Sequence, residues 1–268
     1  MDMISKLNSL LNWFDNKNNA IVALSGGVDS ALVAYAAFQK LKRYAIAVTA
    51  DYKTLSHEEL ESAKHVASEI GITHILLNYN ELENTKFTSN NSNRCFYCRM
   101  ELGTHLRNLA YKYNISTIVD GTNVDDLGDY RPGINALRKN EIQSPLVETG
   151  FTKNEIRITA KSIGLSVYDR PSNSCLASRI PWGQQITAEK LTRIEYGEML
   201  VKQITGIKQV RVRDLKGSAK IEVEKINLGI FDKDILNEIS DKLLLIGFNS
   251  VEIDKDGYSP GKINVITD

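Results

Sequence analysis

The chain has 268 residues, and 33 Lys and Arg balance 33 Asp and Glu, so its formal net charge is zero. That length allows a sizeable core and one large plus one small domain, while neutrality argues against a surface built to follow a long nucleic-acid backbone. No run approaches membrane-spanning length, the N-terminus lacks a long apolar signal core, and three cysteines suit a reducing compartment, so a cytoplasmic protein is expected.

Leu7, Leu10, Leu11 and Phe14 recur at helical spacing, as expected for a helix packed in a core or against a second copy. Residues 20–24 are continuously apolar and predict a buried strand, followed by a glycine turn at 25–30 and a helix from 31. A second strand is expected at 44–49, running out toward Asp51. Ser56 with Glu59 gives a capping signature for a helix over 58–70, which Gly71 ends. A third strand is expected at 74–77, a helix at about 97–113, and a fourth strand at 117–120. The segment 84–93, rich in Asn, Ser and Thr, reads as a loop, and Thr152 with Glu155 opens another helix that closes near Gly164. This alternation predicts an α/β fold with a parallel sheet covered by helices over 1–183. The remainder, 184–268, reads as a smaller α+β domain: a helix at 187–206, alternating strands at 209–213 and 219–224, a helix at 232–246 and a short strand at 251–253.

Ser25-Gly26-Gly27-Val28-Asp29-Ser30 carries the strongest chemical signal. Two glycines let the backbone approach an anion, while Ser25, Ser30 and the first helical amides donate to it. Asp29 would repel a bare phosphate and suits a divalent cation or a pyrophosphate leaving group. No Gly-Lys-Ser/Thr follows, so the turn is not a Walker loop. The hexapeptide resembles the pyrophosphatase loop (PP loop) of enzymes that adenylate a carboxylate or carbonyl with ATP. Ligands of such sheets bind at the carboxyl ends of the strands, where Asp51, Asp120, Gly121, Thr122 and Asn123 are also expected. Asp125 is the second acidic candidate, with Asp126 and Asp129 equally available, and Arg131 is a candidate for a phosphate or carboxylate.

Cys95 and Cys98 form a C-x-x-C at a helix start, where thiolates are stabilised. Cys175 lies in a loop between Arg170 and Arg179, which should make its surroundings electropositive. Four readings are open: a zinc site completed by a histidine, a redox disulfide, unremarkable thiols, or three thiolates on a [4Fe-4S] cluster with one iron left open. Arg179 and Ser178 are candidates for holding an acyl-adenylate beside the sulfur, or for shaping the loop; Trp182 stacks on a ring or simply packs. Arg211 and Arg213 lie at i and i+2 of one strand and face the same way, as bidentate phosphate binding requires. The competing reading is a solvated face balanced by Glu222 and Glu224.

Together the motifs resemble the LarE family of sulfur transferases over nearly the whole chain. The match rests on 25–30, 95–99, 120–126 with 131–133, Ser144-Pro145-Leu146, 170–179 and 210–213. The resemblance implies a PP-loop domain that uses ATP and a divalent cation such as Mg2+ to adenylate the carboxylates of pyridinium-3,5-biscarboxylic acid mononucleotide. Sulfur then displaces AMP, giving thiocarboxylates for the nickel-pincer cofactor of lactate racemase. It places the substrate phosphate at Arg211 and Arg213. Some members sacrifice the sulfur of a cysteine matching Cys175; others hold a [4Fe-4S] cluster on three cysteines, here Cys95, Cys98 and Cys175, reloaded by a sulfide donor. The presence of all three favours the cluster-bearing kind. A homo-oligomer, up to a hexamer, is also implied. The competing functions are a tRNA 2-thiolation enzyme, an amide-forming ATP pyrophosphatase, and a zinc-stapled nucleotide-binding module.

Overall fold

A computed structural model describes residues 3–128, 132–259 and 262. In chain order the helices are α1 (Met3–Trp13), α2 (Val28–Leu41), α3 (His57–Ile70), α4 (Thr85–Thr88) and α5 (Arg94–Lys112). They continue as α6 (Pro132–Lys139), α7 (Pro145–Glu148), α8 (Lys153–Ser162), α9 (Ala188–Thr205) and α10 (Lys233–Leu245). The strands are β1 (Ala20–Ala23), β2 (Ala45–Asp51), β3 (Thr73–Asn78), β4 (Ile118–Val119), β5 (Val210–Leu215), β6 (Ser218–Val223) and β7 (Ser250–Ile253). The chain divides into two compact units, Met1–Glu81 with Cys95–Asn173, and Leu82–Arg94 with Ser174–Asp268. No helix among the described residues is long and apolar enough to cross a membrane.

The first unit is the expected α/β domain. Its sheet is all parallel in the order β3-β2-β1-β4. β1 is apolar throughout because both of its faces are covered. Ala20 and Val22 join the cluster formed with α2, whereas Ile21 joins the cluster formed with Leu102 and Leu106 of α5. β2 divides in the same way: Ala45 and Ala47 face one cluster, Val48 and Ala50 the other. Most of α2 is buried, as is usual for a helix without a polar face, and it packs on β1, β2, α1, α3 and α8. Leu10 and Phe14 are fully buried, so the α1 stripe belongs to the core. Ser56 and Thr152 cap their helices as expected, the latter in a complete capping box with Glu155.

In the second unit β5 and β6 are antiparallel and β7 adds parallel to β6. Thr187 caps α9 and Gly206 ends it in the left-handed region. A Cβ on Gly197 of α9 would lie 3.2 Å from Leu243 of α10 and 3.4 Å from Val212 of β5, so the glycine lets three elements meet. The segment read as a loop at 84–93 contains α4, capped by the Asn84 carboxamide. It runs beside the chain at 183–186: Gly183 N donates to Asn90 O and Ile186 N to Thr88 O, both at 2.9 Å.

The strand order places three strand ends around the turn at 25–30. Ala23 pairs with Val48, and Val22 with Val119. Gly121, just past β4, touches the first turn of α2; a Cβ there would meet Ser30 N at 2.6 Å. Gly121→Ala is therefore expected to cost about 1–3 kcal/mol through overpacking. Thermal melting should fall by several degrees, on the order of 2–4 °C per kcal/mol. Gly128→Ala, with nothing within 4 Å of the added Cβ, should melt as wild type.

Candidate functional site

The first unit builds the PP loop from serine hydroxyls and backbone. Ser30 Oγ donates to Gly27 O at 3.1 Å and accepts from Ser25 N at 3.1 Å, closing the turn. Ser25 Oγ lies 3.1 Å from Ser30 Oγ and accepts weakly from Gly27 N at 3.4 Å. Gly26 has φ +82°, and a Cβ there would fall 2.6 Å from Glu59 O, so only glycine fits. Its carbonyl is held by Ser62 Oγ at 2.9 Å and Arg170 Nη1 at 3.1 Å. Gly27 caps α2 without a side-chain hydrogen bond, which leaves the first helical amides open to an anion.

Asp29 stands at this helix start. Its Oδ2 accepts from Lys153 Nζ at 2.5 Å, while Oδ1 is buried without a hydrogen-bond partner. Burial pushes the Asp29 carboxyl above its ordinary range, against the opposing pull of the Lys153 ammonium. An unsatisfied buried carboxylate oxygen beside open amides fits a cation that arrives with a polyphosphate. Asp125 has other work: its Oδ2 accepts from Lys153 N at 2.7 Å, tying down the start of α8. Asp126 Oδ2 likewise accepts from Asn123 N at 3.0 Å. Thr122 Oγ1 donates to the buried Asp120 at 2.6 Å, which also accepts from Ser144 Oγ at 2.8 Å. The sequence reading missed Lys153; its only signal was a lysine in the first turn of a helix otherwise opened by an acidic capping box. Asp129 and Arg131 lie outside the described residues.

In the second unit, Cys175 immediately precedes a short 3-10 turn, Leu176–Arg179. Arg179 is fully buried: Nε and Nη2 bind Glu198 at 2.7 and 3.1 Å, and Nη1 turns back to Ser174 O at 2.6 Å and Cys175 O at 3.2 Å. Arg213 is paired with Glu222 through Nε at 3.0 Å and Nη2 at 2.7 Å, and its Nη1 donates to Ser178 O at 2.9 Å. Arg211 lies with its guanidinium 5.5 Å from the Tyr258 ring centre and donates to Val210 O at 2.9 Å. Burial, and then the neighbouring Arg179, lower the proton affinity of Arg211. The neutralised-face reading thus describes Arg213 with Glu222, although both are buried rather than solvated. Arg170 and Arg179, expected to make the cysteine's surroundings electropositive, are each paired with a carboxylate, Arg170 with Glu59 at 2.7 Å and Arg179 with Glu198 at 2.7 Å.

Cys95 and Cys98 occupy the first turn of α5, one exposed and one half-buried, and Cys175 is half-buried in its loop. None of the three forms a disulfide with another described cysteine. Among the described residues no three His, Cys, Asp or Glu side chains are gathered as a metal would require.

Comparison with known proteins matches this architecture. A family model for queuosine biosynthesis protein QueC fits residues 19–96, the stretch that holds β1, the PP loop and α2. An uncharacterised protein of Synechocystis is 41% identical over 97% of both chains, and another of Methanocaldococcus jannaschii is 31% identical over 96% of both. The pyridinium-3,5-bisthiocarboxylic acid mononucleotide synthase of Lactiplantibacillus plantarum is 28% identical over 91% of this chain and 88% of its own. The resemblance to the LarE family thus extends over 91% of the chain. The α/β PP-loop fold with a smaller C-terminal α+β part agrees with that resemblance.

The Arg179–Glu198 pair supports the cysteine loop, with Glu198 Oε1 also accepting from Val212 N at 3.2 Å. Glu198→Gln leaves a fully buried guanidinium without its counter-charge, at a cost of about 3–5 kcal/mol. Thermal melting is expected to fall on the order of 10 °C, far more than for Glu61→Gln at the solvated Lys64 pair.

Proposed function

We propose that this protein is an ATP-dependent sulfurtransferase that converts the carboxylates of pyridinium-3,5-biscarboxylic acid mononucleotide to thiocarboxylates. The product would serve nickel-pincer cofactor synthesis. One observation carries the reading: the candidate sulfur residue and the candidate phosphate-binding arginines share one structure. Arg213 Nη1 donates to the Ser178 carbonyl, three residues from Cys175.

The chemistry divides between the two sets of residues. Ser25, Gly26, Gly27 and Ser30 hold the β- and γ-phosphates of ATP, and Asp29 takes the Mg2+ that comes with them. Gly121 and Thr122 line the nucleotide's edge, and Asp125 sets Lys153 in place at Asp29. A substrate carboxylate oxygen attacks the α-phosphorus, the bond to the bridging oxygen breaks, and pyrophosphate leaves into the PP loop. A sulfur nucleophile then attacks the acyl carbon and AMP departs. Arg179, Arg211, Arg213, Glu198 and Glu222 together carry a net positive charge, which suits a mononucleotide phosphate. The lowered proton affinity of Arg211 supports this, since an anion relieves the repulsion that burial and Arg179 impose.

The finer sulfur chemistry is a [4Fe-4S] cluster on Cys95, Cys98 and Cys175, which when loaded would deliver sulfide from its open iron. Among the described residues no such ligand set is gathered. The alternative within the same family is donation of the sulfur of Cys175 itself. We further propose that the enzyme is a cytoplasmic homo-oligomer acting on a small diffusible substrate.

Anaerobic purification with iron, acid-labile sulfide and zinc analysis tests the sulfur source. About four irons per chain in wild type, lost in Cys175→Ser, is the outcome expected for one cluster on three thiolates. No metal, with Cys175 turned to dehydroalanine at each turnover, selects the sacrificial route, and a structural zinc overturns both. Arg211→Ala is expected to weaken mononucleotide binding by about tenfold or more, with ATP binding within about twofold. Equal losses for the two ligands in calorimetry would remove the phosphate from this strand.

A further inference from the structure

The segment 82–94 belongs to the second unit, and it presents two buried polar side chains to the chain around Cys175. Asn90 is fully buried with φ +53°, a backbone state that asparagine tolerates better than most residues. Its Nδ2 donates to Ile180 O at 3.2 Å, Pro181 O at 2.8 Å and Gln184 O at 2.9 Å. Its Oδ1 accepts from Arg94 Nη1 at 2.7 Å, and the same Nη1 donates to Ala177 O at 3.0 Å.

Arg94 is only 5% exposed, and among the described residues no carboxylate pairs with it. Its Nε is buried without a partner. A buried guanidinium lacking a counter-charge is expensive, and a neutral side chain would pack there at less cost. Packing alone therefore does not account for it. Two further facts give it a role. Arg94 is the first residue of α5 and is bonded directly to Cys95. The carbonyl it holds lies two residues beyond Cys175. One side chain of segment 82–94 thus holds the loop that carries the third thiol.

We propose that Arg94, oriented by Asn90, is a positioning residue for the sulfur-transfer half of the reaction. It fixes the shape of the Cys175 loop from segment 82–94, so that the sulfur nucleophile meets the acyl-adenylate before water does. Adenylation, which uses the PP loop, does not depend on it. This rests on the sulfurtransferase reading above.

The test compares full-length wild type, Arg94→Ala and Arg94→Lys. Three quantities are read: ATP–pyrophosphate exchange with the biscarboxylate mononucleotide, AMP released per thiocarboxylate formed, and amide hydrogen exchange of residues 174–184 without ligand. In Arg94→Ala, pyrophosphate exchange should stay within about twofold while AMP per thiocarboxylate rises about tenfold or more, because misplacing a nucleophile by about 1 Å costs on that order. Amide exchange across the loop should speed up by about tenfold or more as its anchor opens. Arg94→Lys, which restores a donor and a charge, should recover part of both effects. An unchanged AMP ratio, or pyrophosphate exchange falling in step with thiocarboxylate formation, overturns the proposal. If Arg94→Ala does not fold, the same criteria apply to Arg94→Lys. If wild type forms no thiocarboxylate, the functional reading fails, and the loop's amide exchange still decides whether Arg94 anchors it.

Discussion

A chain segment without regular structure must find a partner for each buried backbone polar group. That obligation governs the loop around Cys175. Its carbonyls are taken one after another by side chains from elsewhere: Ser174 and Cys175 by Arg179, Ala177 by Arg94, Ser178 by Arg213, and Ile180, Pro181 and Gln184 by Asn90. Arginine and asparagine suit this task because each presents several donors in a fixed plane. The thiol is therefore carried on a suspended loop whose shape depends on four side chains rather than on a helix or a strand.

Those donors need support of their own, and it comes from the small α+β part. Glu198 on α9 and Glu222 on β6 neutralise Arg179 and Arg213 and fix their planes. The α9 helix can sit close to β5 because Gly197 has no side chain. Packing, charge pairing and loop shape are thus one construction. The same construction buries Arg211 beside Arg179, and burial and then that neighbour lower its proton affinity.

The PP loop is organised by a different constraint, close approach. Gly26 lies against Glu59 O and Gly121 against Ser30 N, at separations that exclude a Cβ. A largely buried α2 and a β1 covered on both faces back these segments. The cost of that burial falls on Asp29, whose carboxyl is desolvated and only half satisfied. An acid in this state beside open helix-start amides has the chemistry that a cation carried by a polyphosphate would satisfy.

Much of this was legible in the sequence. Period, capping boxes and glycine stops placed the long helices and the parallel strands to within a few residues, because those signals are local. The six residues at 25–30 announced their turn because glycine and serine at that spacing have few other uses. Arg179, Arg211 and Arg213 could be picked out by type, but not their pairing, which depends on Glu198, nineteen residues along the chain, and Glu222 across a strand register. Lys153 at Asp29, the diversion of Asp125 to the start of α8, and the neutralisation of Arg170 by Glu59 were equally hidden. The segment 84–93 read as a loop, yet it supplies Asn90, and Arg94 follows it directly. Local pattern determines what depends on neighbours along the chain, and here that was the fold class and the turn at 25–30. Only tertiary structure decided which charges remain uncompensated and which carbonyls each side chain holds, because those depend on contacts between residues about 80–145 positions apart, a separation whose outcome no local pattern encodes.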